Sequence, residues 1–238
     1  MLTKNRMNKW TKRSKEKELL DNENIPQDDL FLNLSELHAI NYYLGGYNVI
    51  TQALHSLNLK KGYTYTVLDI GSGGGDTLKV IAAWGAKNGI SMNLFGADIK
   101  ADCIKYATRN CINFPNISFH QSDYRKLVEG NNSFDIICCS LFCHHLNDDD
   151  NKALFSWIAK HVKVAGIIND IHRHPIAYYS IKWLTALFSK SYLVKHDAAL
   201  SVLRAFTKKE CIGLMPNSAF SLSWKWAFRW QIILYPGK

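Results

Sequence analysis

The sequence predicts an α/β protein whose core is a mostly parallel sheet with helices on both faces. Thr66, Val67, Leu68 and Ile70 form a short, partly β-branched apolar run that breaks into Gly71, Gly73, Gly74 and Gly75 before a helical pattern begins. That is a strand, a tight glycine turn and a helix. Residues 133–140, SFDIICCS, are nearly all apolar, as a parallel strand buried on both faces requires. Around these two runs, strand-length apolar segments alternate with helical periodicities, the order that builds βαβ units.

The elements follow in order. Lys4, Arg6, Lys9, Lys12, Arg13, Lys15 and Lys17 crowd the start of the chain and read as a solvated basic terminus. Asp21 to Asp29 is polar and acidic, contains Pro26, and reads as a linker. Residues 1–29 are therefore expected to form an extension and 30–238 a single domain. Leu30, Phe31, Leu34, Leu37, Ile40, Tyr43 and Leu44 recur at helical spacing up to Gly45 and Gly46, and a second amphipathic helix runs from about Tyr47 to Leu59. After the glycine turn, Leu78, Val80, Ile81 and Trp84 mark one face of a helix ending near Asn88 and Gly89.

Met92 to Ala97 is a second strand with Asp98 at its end, ahead of a helical pattern at Ile104, Ala107 and Cys111, for which Asp98 is a candidate N-cap. A third strand, Ile117 to His120, leads into Gln121, Ser122, Asp123 and Tyr124. The fourth strand, 133–140, runs into Leu141, Phe142, Cys143, His144, His145 and Leu146. Asp148 to Asp150 open a helix with Ala153, Leu154, Trp157, Ile158 and His161 on its apolar face. Gly166 turns the chain into a fifth strand, Ile167 to Ile171, which carries Asp170 and leads into His172, Arg173 and His174. Residues 172–206 contain an inserted segment opened by Pro175, with an aromatic helix (Tyr178, Tyr179, Trp183, Phe188). Thr207 and Glu210 form a capping-box pair for a helix from Lys208 to Asn217. Ser221 to Ala227 and Arg229 to Leu234 alternate apolar and polar residues, as a closing hairpin would.

The bulk numbers set limits. A chain of 238 residues, 47% hydrophobic, suffices for one sizeable α/β domain and not for two. The formal net charge of +9 permits a polyanionic partner but does not specify one. No apolar run approaches the roughly 20 residues of a bilayer span, and the start lacks the apolar core of a secretory signal. The six cysteines show neither a Cys-x-x-Cys pair nor a regular framework, so a cytoplasmic protein with reduced thiols is expected. Cys139, Cys143, His144 and His145 are candidate metal ligands by residue type. Four ligands within so short a span lack the separated pairs of a zinc site, and no metal is expected.

The glycine turn narrows the ligand. A dinucleotide fingerprint needs its third glycine where this chain has Asp76. The order is instead Asp69, Gly71, Gly73, Gly75 at every second position. This resembles motif I of the class I S-adenosylmethionine (SAM) dependent methyltransferases, and the segment from Ser140 through the Leu-x-x-His-His-Leu run resembles motif IV of their ubiquinone/menaquinone methyltransferase-like branch. The resemblance implies a Rossmann-like fold with a seven-stranded sheet, a helical cover over residues 30–62, and an acceptor-side insertion over 172–206. It implies SAM as cofactor, its methionine part over Gly71, Ser72 and Gly73 with Asp69 organising the amino group. Asp98 and the adjoining Ile99 would hold the ribose, Asp123 and Tyr124 the adenine, and Ser140 would line the transfer cavity. A cover role would also bring Asn41, Tyr42 and Gly45 near the site, with packing against the sheet edge as the alternative. Ser72 and Gly74 depart from the commoner cysteine and threonine of that turn.

Within the family, Lys195 to Thr207 looks like the corresponding stretch of bacterial enzymes of secondary metabolism that act on phenolic or polyketide products. The expected reaction is methylation of a small aromatic, phenolic or lipid-like acceptor, by preference at oxygen. A hydroxyl acceptor profits from a positioned base, and His145 and His172 are the candidates. His144, Asp170, His174 and His196 are further ones. Competing readings are an RNA or protein methyltransferase, motivated by the basic start; a nicotinamide oxidoreductase; and a SAM-binding module without catalysis. The expected partner is a small molecule rather than a membrane or nucleic acid, with a homodimer left open.

Overall fold

A computed structural model describes residues 9–130 and 132–237. Two members of the basic cluster, Lys4 and Arg6, lie outside the described residues. Helices α1 (Gln27–Tyr43) and α2 (Gly46–Ser56) precede β1 (Thr64–Ile70). There follow α3 (Asp76–Asn88), β2 (Ser91–Asp98), α4 (Ala101–Asn110), β3 (Ile117–Gln121), α5 (Tyr124–Glu129) and β4 (Phe134–Ser140). The second half comprises α6 (Asp148–His161), β5 (Val162–Ile171), α7 (Pro175–Phe188), α8 (Tyr192–Arg204), α9 (Lys208–Leu214), β6 (Phe220–Lys225) and β7 (Arg229–Leu234).

The strands form one seven-stranded sheet in the order β3-β2-β1-β4-β5-β7-β6. The first five are parallel, and β7 runs antiparallel to both β5 and β6. The near-continuous apolar strands are explained by burial on both faces. Because strand side chains alternate, Leu68, Ile70, Ile137, Cys139 and Ile168 join one core with Leu154, Phe155 and Ile158 of α6. Val67, Ile136, Cys138 and Ile167 join the other, with Ile50 and Leu54 of α2 and Leu78 and Ile81 of α3. All six cysteines are free and buried, as reduced small hydrophobes. Strand order reverses between β1 and β4, which opens a crevice at their carboxyl ends, the usual place for a ligand in such a sheet.

Local signals hold at the caps. Thr207 Oγ1 accepts from Glu210 N at 3.4 Å and Glu210 Oε2 accepts from Thr207 N at 2.7 Å, the reciprocal capping box. Two expectations are corrected in detail. Gly166 lies inside β5, paired with Ile137, so the strand starts earlier than a turn at that glycine would allow. The inserted segment holds two helices, the second capped by Ser191, whose side chain accepts from Val194 N.

The larger correction concerns the start of the chain. Residues 9–25, expected to be solvated extension and linker, are strapped across α8 and the loop after β4. The Asp197 carboxylate accepts from Leu19 N and Leu20 N, both at 2.8 Å, and Ser201 Oγ donates to Glu18 Oε1 at 2.9 Å. Arg13 donates to Arg204 O, His144 O and Leu146 O and pairs with Asp148 at 2.7 Å. Arg13, which looks free in the sequence, is thus committed to backbone carbonyls. Asp197→Ala leaves two amides unpaired, at a cost of about 1–3 kcal/mol each when buried. The variant should show faster amide exchange at Leu19 and Leu20 and a lower urea midpoint; unaltered exchange there would refute the strap.

Candidate active site

The glycine turn carries β1 into α3 beneath a cavity of about 430 Å³. Gly71 and Gly73 take φ of +71° and +49°, a region costly for residues with a Cβ. At Gly71 a Cβ would also collide with the Phe142 ring, whereas above Gly73 the nearest atom to one is Leu34 Cδ2 at 3.7 Å. The turn is therefore closed on its protein side and open on the other. Asp98 reaches it from the end of β2, its Oδ2 accepting from Gly73 N at 3.0 Å and its Oδ1 from Lys100 N at 2.9 Å. The N-cap of α4 is Lys100, so Asp98 is not the cap the sequence allowed.

Asp69 lies under the turn, fully buried, with Oδ1 unpartnered. Burial, with the Asp98 charge behind it, pushes its carboxyl up to about 8. Ser72 Oγ is likewise buried and unpartnered. Orphaned acceptors beneath an open turn are what an ammonium above the turn would satisfy, so these residues fit the amino-acid end of SAM. Gly71, Ser72, Gly73, Asp98, Ile99, Asp123, Tyr124, Ser140 and His145 all line this cavity, while Asp69 supports it from below. Asp123 does double duty. It lines the cavity and caps α5, accepting from Arg125 N at 2.9 Å.

Of the cover residues, Asn41 lines the cavity and accepts from Arg229 Nη2 at 2.8 Å, whereas Tyr42 is 66% exposed and Gly45 lines neither cavity. His172 is not brought to the site. It packs against Trp230 with ring centroids 4.7 Å apart, its Nδ1 buried and unpartnered, and burial holds its pKa down at about 4. Arg173 beside it is structural, donating to Glu210 at 2.6 and 2.8 Å and to Ala205 O at 2.7 Å.

A second cavity of about 340 Å³ adjoins the first. Leu20, Leu37, Leu141 and His145 line both. Its far walls come from Ile40 of α1 and Leu44 just past its end, the inserted helices (Ile181, Leu184, Val202) and the β6–β7 turn (Trp226, Phe228). Leu141, in the dividing wall, has φ +54°, unusual for a residue with a side chain, and its N–H donates to Asn169 O at 2.8 Å. At the junction the sequence missed most of the chemistry. His145 Nδ1 lies 2.9 Å from Asp21 Oδ1, and His144 Nδ1 lies 2.8 Å from Asp170 Oδ1. Between the two imidazoles stands Glu18, 3% exposed.

Burial pushes Glu18 up to about 7, against the opposing pull of His145 and Arg204. Burial also works against Asp21, but the hydrogen bond and charge of His145, with Arg204, bring it down to about 2. For Asp170, the penalty of burial is likewise overcome, by His144 and by the backbone amides of His144 and Ile171, and its pKa falls below the usual carboxylate value. The one sequence signal for this acid pair was its own reciprocal cap: Glu18 and Asp21 bracket a short 3₁₀ turn, Glu18 N donating to Asp21 Oδ2 at 3.1 Å. The cysteine–histidine set does not form. Cys139 and Cys143 are paired with each other in the core, away from the imidazole edges that face Glu18.

Comparison with known proteins is consistent with this geometry. Residues 67–166 match the family model for a methyltransferase domain. That stretch of the chain is a methyltransferase domain. Among solved structures, the plantazolicin methyltransferase BpumL, in complex with S-adenosylhomocysteine (SAH), superposes with TM-score 0.63 at 14% identity, over 89% of this chain and 96% of that one. The bifunctional kinase–methyltransferase WbdD gives 0.52 at 16%, and this chain, 82% covered, spans only 39% of it. The citrinin polyketide synthase CMeT domain gives 0.52 at 11%, over 76% of this chain and 49% of that one. At these identities the likeness speaks to the fold alone. Curated protein sequences give no match. The methyltransferase match leaves the nicotinamide reading without support, and among the described residues no helix is long and apolar enough to cross a membrane.

Two variants test the cofactor assignment. Gly73→Val should abolish SAM binding by calorimetry while leaving the circular dichroism spectrum intact. Asp98→Ala should weaken binding about ten- to a hundredfold, the loss of a charge-assisted pair of hydrogen bonds; wild-type affinity in both would defeat the assignment.

Proposed function

We propose that the methyltransferase transfers the methyl group of SAM to the hydroxyl oxygen of a small aromatic or phenolic acceptor with a polyketide- or lipid-like body. The observation that carries this reading is the second cavity: largely apolar, contiguous with the cofactor cavity, and meeting it at His145. SAM supplies an electrophilic methyl carbon on a sulfonium. The chain's part is to hold the acceptor oxygen in line with that carbon and to promote loss of the hydroxyl proton, since a phenol ionises only near pH 10. With SAM bound, transfer to the acceptor oxygen would leave SAH, and the hydroxyl proton would depart through the His145 corner. Asp21 at Nδ1 orients the imidazole, whose Nε2 faces the Glu18 carboxylate 3.8 Å away at the edge of the second cavity.

The polyanion alternative finds less support. Lys9 lies over the Tyr178 ring at 3.6 Å and Arg13 is spent on carbonyls and Asp148, so these basic residues are engaged within the molecule. One fold neighbour is the CMeT domain of a polyketide synthase, which accords with a polyketide-like acceptor.

The test is SAH release from SAM with panels of substituted phenols, amines and RNA. Release with apolar-substituted phenols is expected; release with RNA or protein alone would overturn the proposal. His145→Ala should lower kcat about a hundredfold or more with SAM affinity kept, the range of a lost acid–base group. Ala198→Trp, which fills the second cavity, should raise the acceptor KM about tenfold and spare SAM binding, as loss of acceptor contacts alone would.

A further inference from the structure

We infer that Glu18, His144 and His145 form a binding site for one divalent cation of the zinc class, with its open position facing the acceptor. The inference deepens the proposed function and rests on it only for the identity of the group that approaches the open position. One ligand atom from each residue lies within 4.8 Å of the others. His144 Nε2 is 3.7 Å from Glu18 Oε1 and His145 Nε2 is 3.8 Å from Glu18 Oε2, so both imidazoles turn the same ring atom toward one carboxylate. Two bonds of about 2.0–2.1 Å to a shared ion bring their donor atoms to such separations at open angles. Two imidazoles and a carboxylate with a vacant fourth position match the donor set of a catalytic zinc site rather than a closed structural one.

The surroundings are those a metal site needs. Each histidine gives its other nitrogen, Nδ1, to a carboxylate, His144 to Asp170 and His145 to Asp21. A carboxylate at Nδ1 holds the proton there and leaves Nε2 its lone pair, the arrangement that orients metal-bound histidines and raises their basicity. Ser201 Oγ fixes Glu18 from behind at 2.9 Å. Arg204, 3.7 Å from Glu18, has its donors turned to Asp21 and to the carbonyls of Glu16, His144 and His145. All three ligand residues line the second cavity, and His145 also lines the first. A cation there would lie where the acceptor hydroxyl must lose its proton, and would lower that hydroxyl's pKa directly.

The experiment uses the full chain, stripped with a chelator and titrated with Co²⁺ as a spectroscopic probe and then Zn²⁺. One Co²⁺ per chain with visible d–d bands, displaced by Zn²⁺, is expected. Glu18→Gln and His144→Gln should abolish the bands while SAM still binds, which shows that each variant folds. Asp21→Asn should weaken Co²⁺ about ten- to a hundredfold, the usual effect of removing a carboxylate from a metal-bound histidine. Absence of bands in the SAM-binding wild type, or bands unaltered in both ligand variants, overturns the site. Metal binding needs no acceptor, so an intact cation site in a protein that methylates no phenol would refute the acceptor reading and leave this inference standing.

Discussion

The guanidinium of Arg204, at the end of α8, is the contact on which the site depends. It donates to Glu16 O at 2.8 Å and His145 O at 2.9 Å, approaches His144 O at 3.3 Å, and pairs with Asp21 at 3.1 Å. Three segments distant in sequence are joined there: the N-terminal strap, the loop after β4 and the second inserted helix. A single planar cation with five fixed donors can satisfy that many carbonyls and a carboxylate together; a lysine ammonium, with three, could not. Without it the carbonyls of His144 and His145 lose donors that hold both imidazoles in place.

A second constraint acts from the sheet. β4 ends at Ser140, Leu141 takes a left-handed turn, and Asn169 of β5 anchors both, its carbonyl accepting from Leu141 N and its side chain donating to Ser140 Oγ at 2.9 Å. Strain of about 1–2 kcal/mol for a non-glycine residue in this region is held by the packed strands on either side. The turn places the Leu141 side chain in the wall between the two cavities. The two cavities share a wall of Leu20, Leu37, Leu141 and His145 and meet with no further element between them.

The sequence was most informative where function depends on short spacing. Asp98 stands 25 residues from Gly73 and bonds to it because adjacent parallel strands fix the distance between their carboxyl ends. Thr207 with Glu210, and the doubly buried strands, were legible for the same reason: each is a local rule of capping or periodicity. Glu18 and Asp21 were not. Their partners lie 183 and 124 residues away, and a charged, lysine-rich stretch scores as solvated by composition. Burial of Glu18 follows from Asp197, Ser201 and Arg204 on α8, one turn apart from one another, and no property of residues 9–25 announces that match. Ser191 was a readable N-cap that would have split the insertion into its two helices.

The adjacent histidines show why composition alone misjudges this centre. Neighbours on an extended strand point to opposite faces, which is the objection to His144 and His145 serving one site. After Leu141, however, the chain is no longer extended: Cys143 to His145 form a 3₁₀ turn, and the two rings lie with centroids 4.3 Å apart at an interplanar angle of 35°. Each ring is then fixed by an acid from a different element, Asp170 on β5 and Asp21 on the strap, so their convergence on Glu18 is imposed from outside the loop. Such an arrangement concentrates carboxylates and imidazoles in a largely buried corner at considerable desolvation cost. A packed core alone would be better served by apolar residues of the same volume, and this corner instead places its polar groups at the edge of the second cavity.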